Sequence, residues 1–400
     1  MPLRVLIAAG GTGGHIFPGI AVARELQRRD PQVVILFVGT ARGLEKRVVP
    51  EEGFPLAFID IAGLKRVGLT RALRSLARLP RSLWQARTLI GRFRPDVVIG
   101  VGGYASGPVM LWAALSGLPT MVIEPNAYPG FTNRLLARFI RRAAVGFPEA
   151  ASYFRGKAVV TGNPVRPEFF HIAERARARS QTTGAFHLLI VGGSQGAHAI
   201  NQAVIAALPP LLQKHGQLTV THQTGERDWA WARVAYESIE GRERIRVRAF
   251  IDHMAEEVAR ADLIICRAGA MTVAELTAAG KPAILIPLPT AADDHQRKNA
   301  QALERQGAAR CLLQSELTPE RLREEISEFL ANPHRLTAMA EASRRLARHD
   351  AAEKIVDLVY ELVTDGRQAV TNREQSPGSN KRWMTDGGKA LNGRHLMADR

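Results

Sequence analysis

The residues best suited to chemistry lie close to the amino terminus, in the stretch AAGGTGGHIFP. Glycine occupies four of the five positions from 10 to 14, Thr12 stands between them, and His15 follows directly. The preceding LRVLIAA has the apolar character of a buried parallel strand, and apolar residues after the loop recur at helical spacing. A glycine-rich loop at a helix start lets unpaired backbone N–H groups approach an anion. The stretch therefore predicts a phosphate site, with a ligand-free tight turn as the alternative.

The second half of the chain contains three further candidate segments. HLLIVGGSQGAHAIN (187–201) repeats the order strand, glycine loop, helix. CRAGAMTVAE (266–275) predicts a helix start at 270–272 whose free N–H groups suit a diphosphate, with Glu275 one turn later as an acceptor for ribose hydroxyls. DDHQRKNA (293–300) groups His, Gln and Asn side chains that suit sugar hydroxyls. An ordinary helix start and a solvated loop are the alternatives for the last two segments.

These loops differ from the phosphate-binding motifs of other nucleotide enzymes. A nicotinamide site requires G-x-G-x-x-G and a carboxylate about 20 residues later, whereas the second predicted strand ends LFVGTARG without one. The sequence contains no G-x-x-x-x-G-K-[ST], and its histidines and cysteines lack metal-ligand spacing. The sequence thus argues against a dehydrogenase and a P-loop ATPase, and it predicts no bound metal or other cofactor.

Strand and helix patterns alternate along the chain, which predicts parallel sheets covered by helices. The two strand–glycine-loop–helix segments lie about 180 residues apart, which indicates an α/β protein of two doubly wound, Rossmann-like domains facing across a cleft. We place the domains at residues 1–161 and 162–345, followed by a helix at about 346–363 that is expected to pack back on the first domain. Residues 365–400 are polar and rich in Gly, Asn and Ser, so we expect a disordered tail.

The composition points to an acidic partner. The formal net charge of +16 on 400 residues suits a phosphorylated substrate, an anionic membrane or a nucleic acid. The sequence has no aromatic-interleaved RNA motif, which argues against nucleic acid. Two cysteines, Cys266 and Cys311, are too few for a disulfide framework and fit a reducing cytosol. No apolar run approaches the length of a membrane span and no signal peptide is visible, so we expect any membrane contact to be peripheral.

Residues 63–95 form a basic segment that contains many arginines and no acidic residue. Its leucines and arginines separate on a helical wheel, and Pro80 is expected to kink or split the helix. One face carries Leu69, Leu73, Leu76 and Leu83, and the opposite face carries Arg71, Arg74, Arg78 and Arg81. Such a segment is typical of binding to an anionic membrane surface. The alternative is an ordinary surface helix whose leucines pack on the core. The two interpretations are compatible if the leucines face the core while the arginines contact lipid headgroups.

Eight motifs occur in the order and at the spacing of the MurG family of peptidoglycan glycosyltransferases, over about residues 3–360. They are GGTGGHIFP (10–18), GVGGYASGP (100–108), EPNAYPGFTN (124–133), GNPVR (162–166), GGSQGAHAIN (192–201), FIDHM (250–254), CRAGAMTVAE (266–275) and DDHQRKNA (293–300). The resemblance implies an inverting GT-B transferase that moves N-acetylglucosamine (GlcNAc) from UDP-GlcNAc to the 4-hydroxyl of the muramyl sugar of undecaprenyl-diphospho-N-acetylmuramyl-pentapeptide (lipid I). The products are lipid II and UDP.

The resemblance also implies that the two domains bind different substrates. The first domain is expected to bind the acceptor and the membrane, and the second to bind UDP-GlcNAc. The enzyme is expected at the cytoplasmic face of the inner membrane as a peripheral protein, without a bound metal. Other proteins of cell-wall synthesis or division are candidate partners.

Roles for residues of this chain follow from the resemblance. The expected donor contacts are Ile251 at the uracil, Glu275 at the ribose, Gln296 with Asn299 at GlcNAc, and Arg166, Ser194, Ala270, Met271 and Thr272 around the diphosphate, with Val273 and Ala274 as further donor-binding residues. Thr12, Gly13, Gly14 and Asn126 are expected to face the same nucleotide sugar from the first domain. The glycine loops of the first domain are also expected to hold the diphosphate of the acceptor. Gly103, Tyr104 and Ser106 are the expected acceptor contacts. His15 is expected to be the general base, with Glu124 as its rival and a purely loop-shaping His15 as the alternative.

One departure from the family pattern is Pro125, where Gln is usual. Proline removes a backbone N–H and favours an extended Glu124, so the geometry at Glu124 and Asn126 need not follow the family. Three other functions stay open at this point: a GT-B transferase for a diacylglycerol or a polyketide, an isomerase of UDP-GlcNAc on a similar fold, and a nucleotide-sugar sensor without turnover.

Overall fold

The computed structural model describes residues 2–61, 79–172, 186–193 and 196–375. Several predicted features lie outside these residues. They are Ser194, the tail from residue 376, and the part of the basic segment with Leu69, Leu73, Leu76, Arg71, Arg74 and Arg78.

The first domain is built on a parallel sheet that has seven strands within the described residues, in the order β3-β2-β1-β4-β5-β6-β7. The strands are β1 (Arg4–Ala9), β2 (Val34–Gly39), β3 (Leu56–Phe58), β4 (Val97–Gly102), β5 (Thr120–Glu124), β6 (Arg142–Val145) and β7 (Ala158–Val160). Nearly every residue of the central strands β1 and β4 is buried, because helices cover both faces of the sheet. The helices are α1 (Gly13–Arg29), α2 (Glu45–Glu51), α3 (Leu79–Phe93), α4 (Ser106–Leu115) and α5 (Phe131–Leu136), with a 3₁₀ helix at Pro148–Phe154.

The second domain repeats this plan with a parallel sheet of six described strands in the order β10-β9-β8-β11-β12-β13. The strands are β8 (Phe186–Val191), β9 (Leu218–Gln223), β10 (Ile245–Arg248), β11 (Leu263–Cys266), β12 (Ala283–Leu285) and β13 (Arg310–Cys311). The α-helices are α6 (His198–Lys214), α7 (Glu226–Glu237), α8 (Met254–Arg260), α9 (Ala270–Ala279), α10 (His295–Arg305), α11 (Pro319–Ala331) and α12 (Pro333–Arg345). Short 3₁₀ helices lie at Arg242–Arg244, Ala292–Asp294 and Gln314–Glu316.

Both sheets have their topological switch point beside the strand that precedes a glycine loop. β1 lies between β2 and β4, and β8 lies between β9 and β11. Doubly wound sheets bind ligands at this point, outside the carboxyl ends of their strands. A register shift between Ala8 and Ala9 pairs Ala9 with Gly102, so the loop after β1 meets the loop after β4. The predicted fold of two doubly wound domains is confirmed.

The helix α13 (Ala351–Gln375) returns from the second domain to the first. Its residues Ile355 and Val359 are buried in the same core cluster as β1 and α1. The helix is longer than expected, because residues 365–375, assigned to a disordered tail, are helical. Extending an existing helix costs far less than starting one, so a polar composition does not end it. A Cβ at Gly366 would lie 2.9 Å from Pro119 Cγ, so a glycine lets the helix pass close to the first domain.

The described part of the basic segment is α3. Pro80 is the second described residue of α3, and the residues before Leu79 lie outside the described part of the chain, so the expected kink or split at Pro80 stays a prediction. Leu83 is partly buried and Arg81 is exposed, as the two predicted faces require.

Candidate active site

The side chain of Asn299, in α10, joins the two domains. Its Oδ1 accepts from the Ala127 N–H at 2.8 Å, and its Nδ2 donates to Asn126 Oδ1 and to the Ala268 carbonyl, both at 3.1 Å. Ala127 follows β5 and Ala268 follows β11, so the carboxyl ends of the two sheets face each other here. Asn299 is fully buried, and the structure therefore supports an interdomain role for this amide in place of the expected contact with GlcNAc.

Charged groups also connect the domains around this amide. Arg134 of α5 donates to Asp293 at 3.1 Å, and Arg305 of α10 donates to Glu149 at 2.7 Å. The ammonium of Lys298 lies 3.0 Å from the ring centroid of Tyr128. These contacts hold the segments after β5 and β6 against the segment after β12 at one end of the cleft.

Two glycine loops of the first domain are in direct backbone contact. Gly102 and Gly103 have φ values of +116° and +80°, and Gly11 has +94°. A Cβ at Gly103 would lie 2.1 Å from the Gly10 carbonyl oxygen. Only glycine fits there, so the close approach of the two loops explains part of their composition.

Thr12 precedes the first residue of α1 in extended conformation and accepts at its carbonyl from the N–H groups of His15 and Ile16. Thr12 has no side-chain capping bond, so the first N–H groups of the helix point out of the loop. Gly13 and Gly14 supply two of them. The structure thus places Thr12, Gly13 and Gly14 at a helix N-terminus suited to an anion.

The imidazole of His15 lies between this helix start and the loop after β4. Its Nδ1 is 3.4 Å from Thr12 Oγ1, and a Cβ at Gly102 would lie 3.0 Å from its Nε2. Burial lowers the pKa of His15 to about 4, helped by the nearby imidazole of His295 and opposed by a hydrogen bond to the Gly10 backbone and by Glu45. His15 is therefore neutral near pH 7 and able to accept a proton.

Glu124, the rival base, has its carboxylate fully engaged. Oε1 accepts from the N–H and the side-chain amide of Asn126 at 3.0 and 3.1 Å, and Oε2 accepts from the Gly130 N–H and from Asn133 at 2.8 and 3.0 Å. Burial raises the pKa of Glu124, and these hydrogen bonds oppose the rise. A buried carboxylate with four donors shapes the loop that follows β5, and this arrangement favours a structural role for Glu124 over that of a base.

The departure at Pro125 is accommodated within this loop. The Pro125 carbonyl accepts from Asn163 Nδ2 at 2.8 Å, and the next N–H, of Asn126, folds back on Glu124. Asn126 points its own Oδ1 at Asn299. The side chain of Asn126 is thus held by both domains at the cleft.

The second glycine loop has positive φ at Gly193 (+81°) and Gly196 (+78°), and the Gly196 N–H donates to the Gly193 carbonyl at 3.1 Å. Across the sheet, the Ile251 N–H donates to Gln223 Oε1 at 2.9 Å. The Ile251 backbone expected at the uracil thus already uses its N–H within the protein. Gln223 was not identified from the sequence, although its place at the end of β9 beside the glycine loop is a usable signal.

The start of α9 brings together the residues that are expected to contact the ribose and the diphosphate. Arg166 donates to Glu275 at 3.2 Å and to Glu168 at 3.1 Å. Burial raises the pKa of Glu275, while the Arg166 guanidinium acts in the opposite direction. The helix has Gly269 as its N-cap without a side-chain cap, so no capping side chain occupies the N–H groups of residues 270–272, and the role of Ala270, Met271 and Thr272 at the diphosphate stays a prediction.

The next two residues of α9 do not follow the expectation. Val273 is buried in the core and its N–H donates to the Gly269 carbonyl at 2.9 Å, so nothing of Val273 remains for the donor. Val273 and Ala274 line a cavity of about 120 Å³ at the junction of the domains, together with Asn163 and Phe170.

At the start of α10, two residues in the left-handed region, Asp293 and Asp294, precede His295 and Gln296. Gln296 Oε1 accepts from the Leu288 N–H at 3.0 Å, which leaves the amide NH₂ as the end that can donate to a sugar hydroxyl. Strained backbone of this kind collects at functional sites. Both His295 and Gln296 are partly buried.

The three expected acceptor contacts have different surroundings. Gly103 lies in the loop that touches Gly10, and half of Tyr104 is exposed beside it. Ser106 is fully buried, and its hydroxyl oxygen lies 2.6 Å from where a Cβ at Gly100 would stand. The structure does not support a side-chain contact from Ser106, because the hydroxyl points into the sheet; only its backbone lies at the start of α4.

The sequence analysis also missed Glu45, whose carboxylate is fully buried beneath the first glycine loop. In the parts of the chain that the structure covers, no three His, Cys, Asp or Glu side chains converge as a metal site would require. None of the helices among the described residues is long and apolar enough to span a membrane.

Comparison with known proteins gives the family. Residues 5–145 match the N-terminal domain of glycosyltransferase family 28, and residues 187–355 match its C-terminal domain. A protein of Anaeromyxobacter dehalogenans (strain 2CP-C) is 47% identical over 377 residues, 94% of this chain and 97% of its own. One of Geobacter sulfurreducens is 46% identical over 92% of this chain and all of its own. Both are named UDP-N-acetylglucosamine--N-acetylmuramyl-(pentapeptide) pyrophosphoryl-undecaprenol N-acetylglucosamine transferase.

Solved structures agree with this result. The crystal structure of Acinetobacter baumannii MurG is 34% identical, superposes with a TM-score of 0.75, and covers 90% of this chain and all of its own. A UDP-GlcNAc 2-epimerase from Neisseria meningitidis is only 14% identical at a TM-score of 0.64, so it shares the fold alone. The chain therefore belongs to the MurG family of GT-B glycosyltransferases, the UDP-N-acetylglucosamine–N-acetylmuramyl-(pentapeptide) pyrophosphoryl-undecaprenol N-acetylglucosamine transferases.

Proposed function

We propose that this chain transfers GlcNAc from UDP-GlcNAc to the 4-hydroxyl of the muramyl sugar of lipid I, with inversion at the anomeric carbon, and so produces lipid II and UDP for peptidoglycan synthesis. The observation that carries the proposal is the pair of glycine loops at the carboxyl ends of two facing sheets, with a neutral imidazole beside one of them. Both reactants contain a diphosphate, and each loop with its helix start offers backbone N–H groups to an anion. Family membership supplies the identity of the reactants.

His15 is the general base in this proposal. The acceptor hydroxyl oxygen attacks the anomeric carbon as the bond from that carbon to the UDP oxygen breaks. The hydroxyl proton passes to the imidazole, and the electron pair of the broken bond leaves with UDP. A diphosphate bound at the adjacent loop raises the pKa of His15, because a nearby negative charge favours the imidazolium. Binding of the acceptor therefore strengthens the base at the moment of transfer.

The second domain holds the donor. The N–H groups of residues 270–272 and the Arg166 guanidinium face the diphosphate, and they stabilise the charge that develops on the leaving UDP. Glu275 accepts from the ribose hydroxyls and keeps Arg166 in place through their ion pair. Gln296 donates its amide NH₂ to a GlcNAc hydroxyl. The Ile251 carbonyl contacts the uracil, since the Ile251 N–H is engaged by a side chain. This assignment uses no metal ion.

The first domain holds the acceptor. The N–H groups of Gly13 and Gly14 and the loop at Gly103 surround the lipid-linked diphosphate, and Tyr104 contacts the muramyl unit. Asn126 reaches the donor from the same domain. His15 lies between the loop after β1 and the loop after β4, so it stands where the acceptor sugar must lie if its diphosphate occupies those loops.

The face of the first domain that carries α3, α4 and α5 is proposed to bind the membrane. These three helices pack side by side and expose Trp84 (65%), Leu115 (66%) and Leu135 (60%). Arg81 and Arg87 lie exposed on α3 beside the tryptophan. Apolar side chains ringed by arginine suit an anionic membrane surface, and a lipid-linked acceptor requires one. We therefore propose that the enzyme is a peripheral protein at the cytoplasmic face of the inner membrane.

Release of UDP from UDP-GlcNAc with and without lipid I tests the proposal. We expect UDP only when lipid I is present, in equal amount to lipid II. A product formed from UDP-GlcNAc alone would indicate an isomerase, and transfer to diacylglycerol in place of lipid I would indicate another GT-B transferase. Tight binding of UDP-GlcNAc without any product would indicate a sensor. Each of these three results would overturn the proposed reaction.

A further inference from the structure

Glu45, the first residue of α2, is a fully buried carboxylate below the first glycine loop. Its Oε2 accepts from the Gly11 N–H at 2.9 Å, and its Oε1 accepts from the N–H and the hydroxyl of Thr40, both at 2.8 Å. Thr40 directly follows β2. One side chain therefore ties the end of β2 to the loop that follows β1, and all its partners are donors, which suits an ionised carboxylate.

Three glycines make room for this carboxylate, one in the loop after β1 and two between the end of β2 and α2. A Cβ at Gly10, Gly39 or Gly43 would lie 2.8, 2.5 or 1.9 Å from an atom of Glu45. Real Cβ contacts do not reach such distances, and the side chain is enclosed, so it has nowhere to move. The glycine at position 10 is explained by Glu45 as well as by any ligand. The site for the Glu45 carboxylate is thus constructed by the fold and is not a chance contact.

The same carboxylate acts on His15. The Glu45 charge favours the imidazolium of His15, while burial and the His295 imidazole across the cleft disfavour it. His295 and Glu45 are the ionisable groups whose charge acts on His15, from α10 and α2, and Thr12 and the Gly10 backbone complete its polar surroundings. Of these groups, Glu45 is the one that supplies negative charge.

We propose that Glu45 is a positioning residue for glycosyl transfer: it holds the Gly10–Gly14 loop in the form that receives the acceptor diphosphate, and its charge stabilises the imidazolium that forms when His15 takes the acceptor proton. The inference rests on the proposed function, since it needs His15 as the base. It assigns two separable tasks to one carboxylate, a hydrogen-bonding task and an electrostatic task.

Two substitutions separate these tasks. Glu45→Gln keeps the size of the side chain and removes its charge. We expect the acid limb of the kcat–pH profile to move to lower pH and kcat on the plateau to fall, since the negative charge that favours the imidazolium is lost. Glu45→Asp keeps the charge but draws it back from the Gly11 N–H. We expect it to leave the limb in place and to raise the acceptor KM.

Glu51→Gln, an exposed acid on the same helix, is the matched control and should behave as wild type in every measurement. UDP-GlcNAc affinity by calorimetry should be equal in all variants, because the contacts proposed for the diphosphate, the ribose and GlcNAc of the donor lie in the second domain. A Glu45→Gln enzyme with wild-type kcat and an unmoved limb overturns the inference. So does a fall in activity that is uniform across pH, because a purely structural role produces it.

A measurement without turnover keeps the inference distinct from the proposed function. NMR titration of histidine-labelled protein measures the pKa of His15 directly. The His15→Gln variant assigns the His15 signal. We expect Glu45→Gln to lower the pKa of His15 relative to wild type, and an unchanged value refutes the electrostatic task. If wild-type protein produces no lipid II while Glu45→Gln still lowers the pKa of His15, the proposed reaction fails and the coupling between these residues stands.

Discussion

Replacing Asn299 by alanine is the sharpest test of how the two domains are held face to face. The amide makes three hydrogen bonds, to the Ala127 N–H, to Asn126 Oδ1 and to the Ala268 carbonyl. Two of these partners belong to the first domain and one to the second. The side chain is 0% exposed, so truncation leaves the partners in a space that water enters poorly.

The expected magnitude follows from the groups left behind. The Ala127 N–H and the Ala268 carbonyl belong to residues that are 5% and 0% exposed, whereas Asn126 keeps its bond from Nδ2 to Glu124. A buried polar group without a partner costs about 1–3 kcal/mol, so we expect Asn299→Ala to destabilise the protein by about 2–4 kcal/mol. For domains of this size that corresponds to a fall of roughly 5–10 °C in the melting temperature.

Thermal unfolding followed by circular dichroism measures this effect. Asn332→Ala is the matched control, because Asn332 is exposed and its side chain bonds only to the Glu328 carbonyl one turn earlier at 3.0 Å. We expect this control to melt within about 2 °C of wild type, since exposed hydrogen bonds contribute little. If Asn299→Ala also melts that close to wild type, the amide contributes no net stability and the reasoning about the interface fails.

Four further predictions concern activity and binding. His15→Asn keeps a hydrogen-bonding side chain but accepts no proton near pH 7, so kcat should fall about 10²–10⁴-fold with unchanged UDP-GlcNAc affinity, and near-normal kcat would exclude His15 as the base. The acid limb of kcat/KM should lie near pH 4, because the pKa of His15 in the free enzyme is lowered to about 4 and activity requires the neutral imidazole; a limb at 6.5 would contradict this. Glu275→Ala should weaken UDP-GlcNAc binding by about 1.5–3 kcal/mol in calorimetry, while Glu168→Ala, which removes the other carboxylate partner of Arg166, should leave it nearly unchanged. Trp84→Ser should reduce co-sedimentation with anionic vesicles at low salt, whereas Trp231→Ser, on an exposed tryptophan of the second domain, should not, and equal losses would move the membrane contact elsewhere.

The architecture could be predicted because local sequence patterns indicate its strands, helices and loops. Apolar runs such as LRVLIAA and DLIIC are buried strands, and the glycine loops follow β1 and β8. The backbone conformation of these loops requires glycine whichever ligand binds there. These features depend on neighbours within a few positions, which periodicity and turn chemistry report.

The rest depends on contacts between distant segments. Glu45 meets Gly11 from 34 positions away, and Asn299 meets Ala127 from 172. A polar residue at an element end faces either the cleft or the interior, and only the packed fold decides which. Ser106 is the instructive case, because its place after GVGGYA matched an acceptor contact while its hydroxyl is buried against Gly100. Glu124 was weighed as a base for the same reason, although four donors occupy it, three from the loop that follows it and one from Asn133 in α5.

The density of glycine in the first loop therefore has more than one cause. A Cβ at position 10 would collide with the Glu45 carboxylate, and a Cβ at position 103 would collide with the Gly10 carbonyl. Gly11 has a φ of +94°, which disfavours other residues. These constraints arise inside the protein and act before any ligand binds. They hold the loop and the His15 imidazole in one arrangement, so that a bound diphosphate would meet N–H groups already in position. Preorganised donors of this kind need no rearrangement as charge develops during transfer. A rigid glycine loop therefore favours the reaction more than a flexible one would.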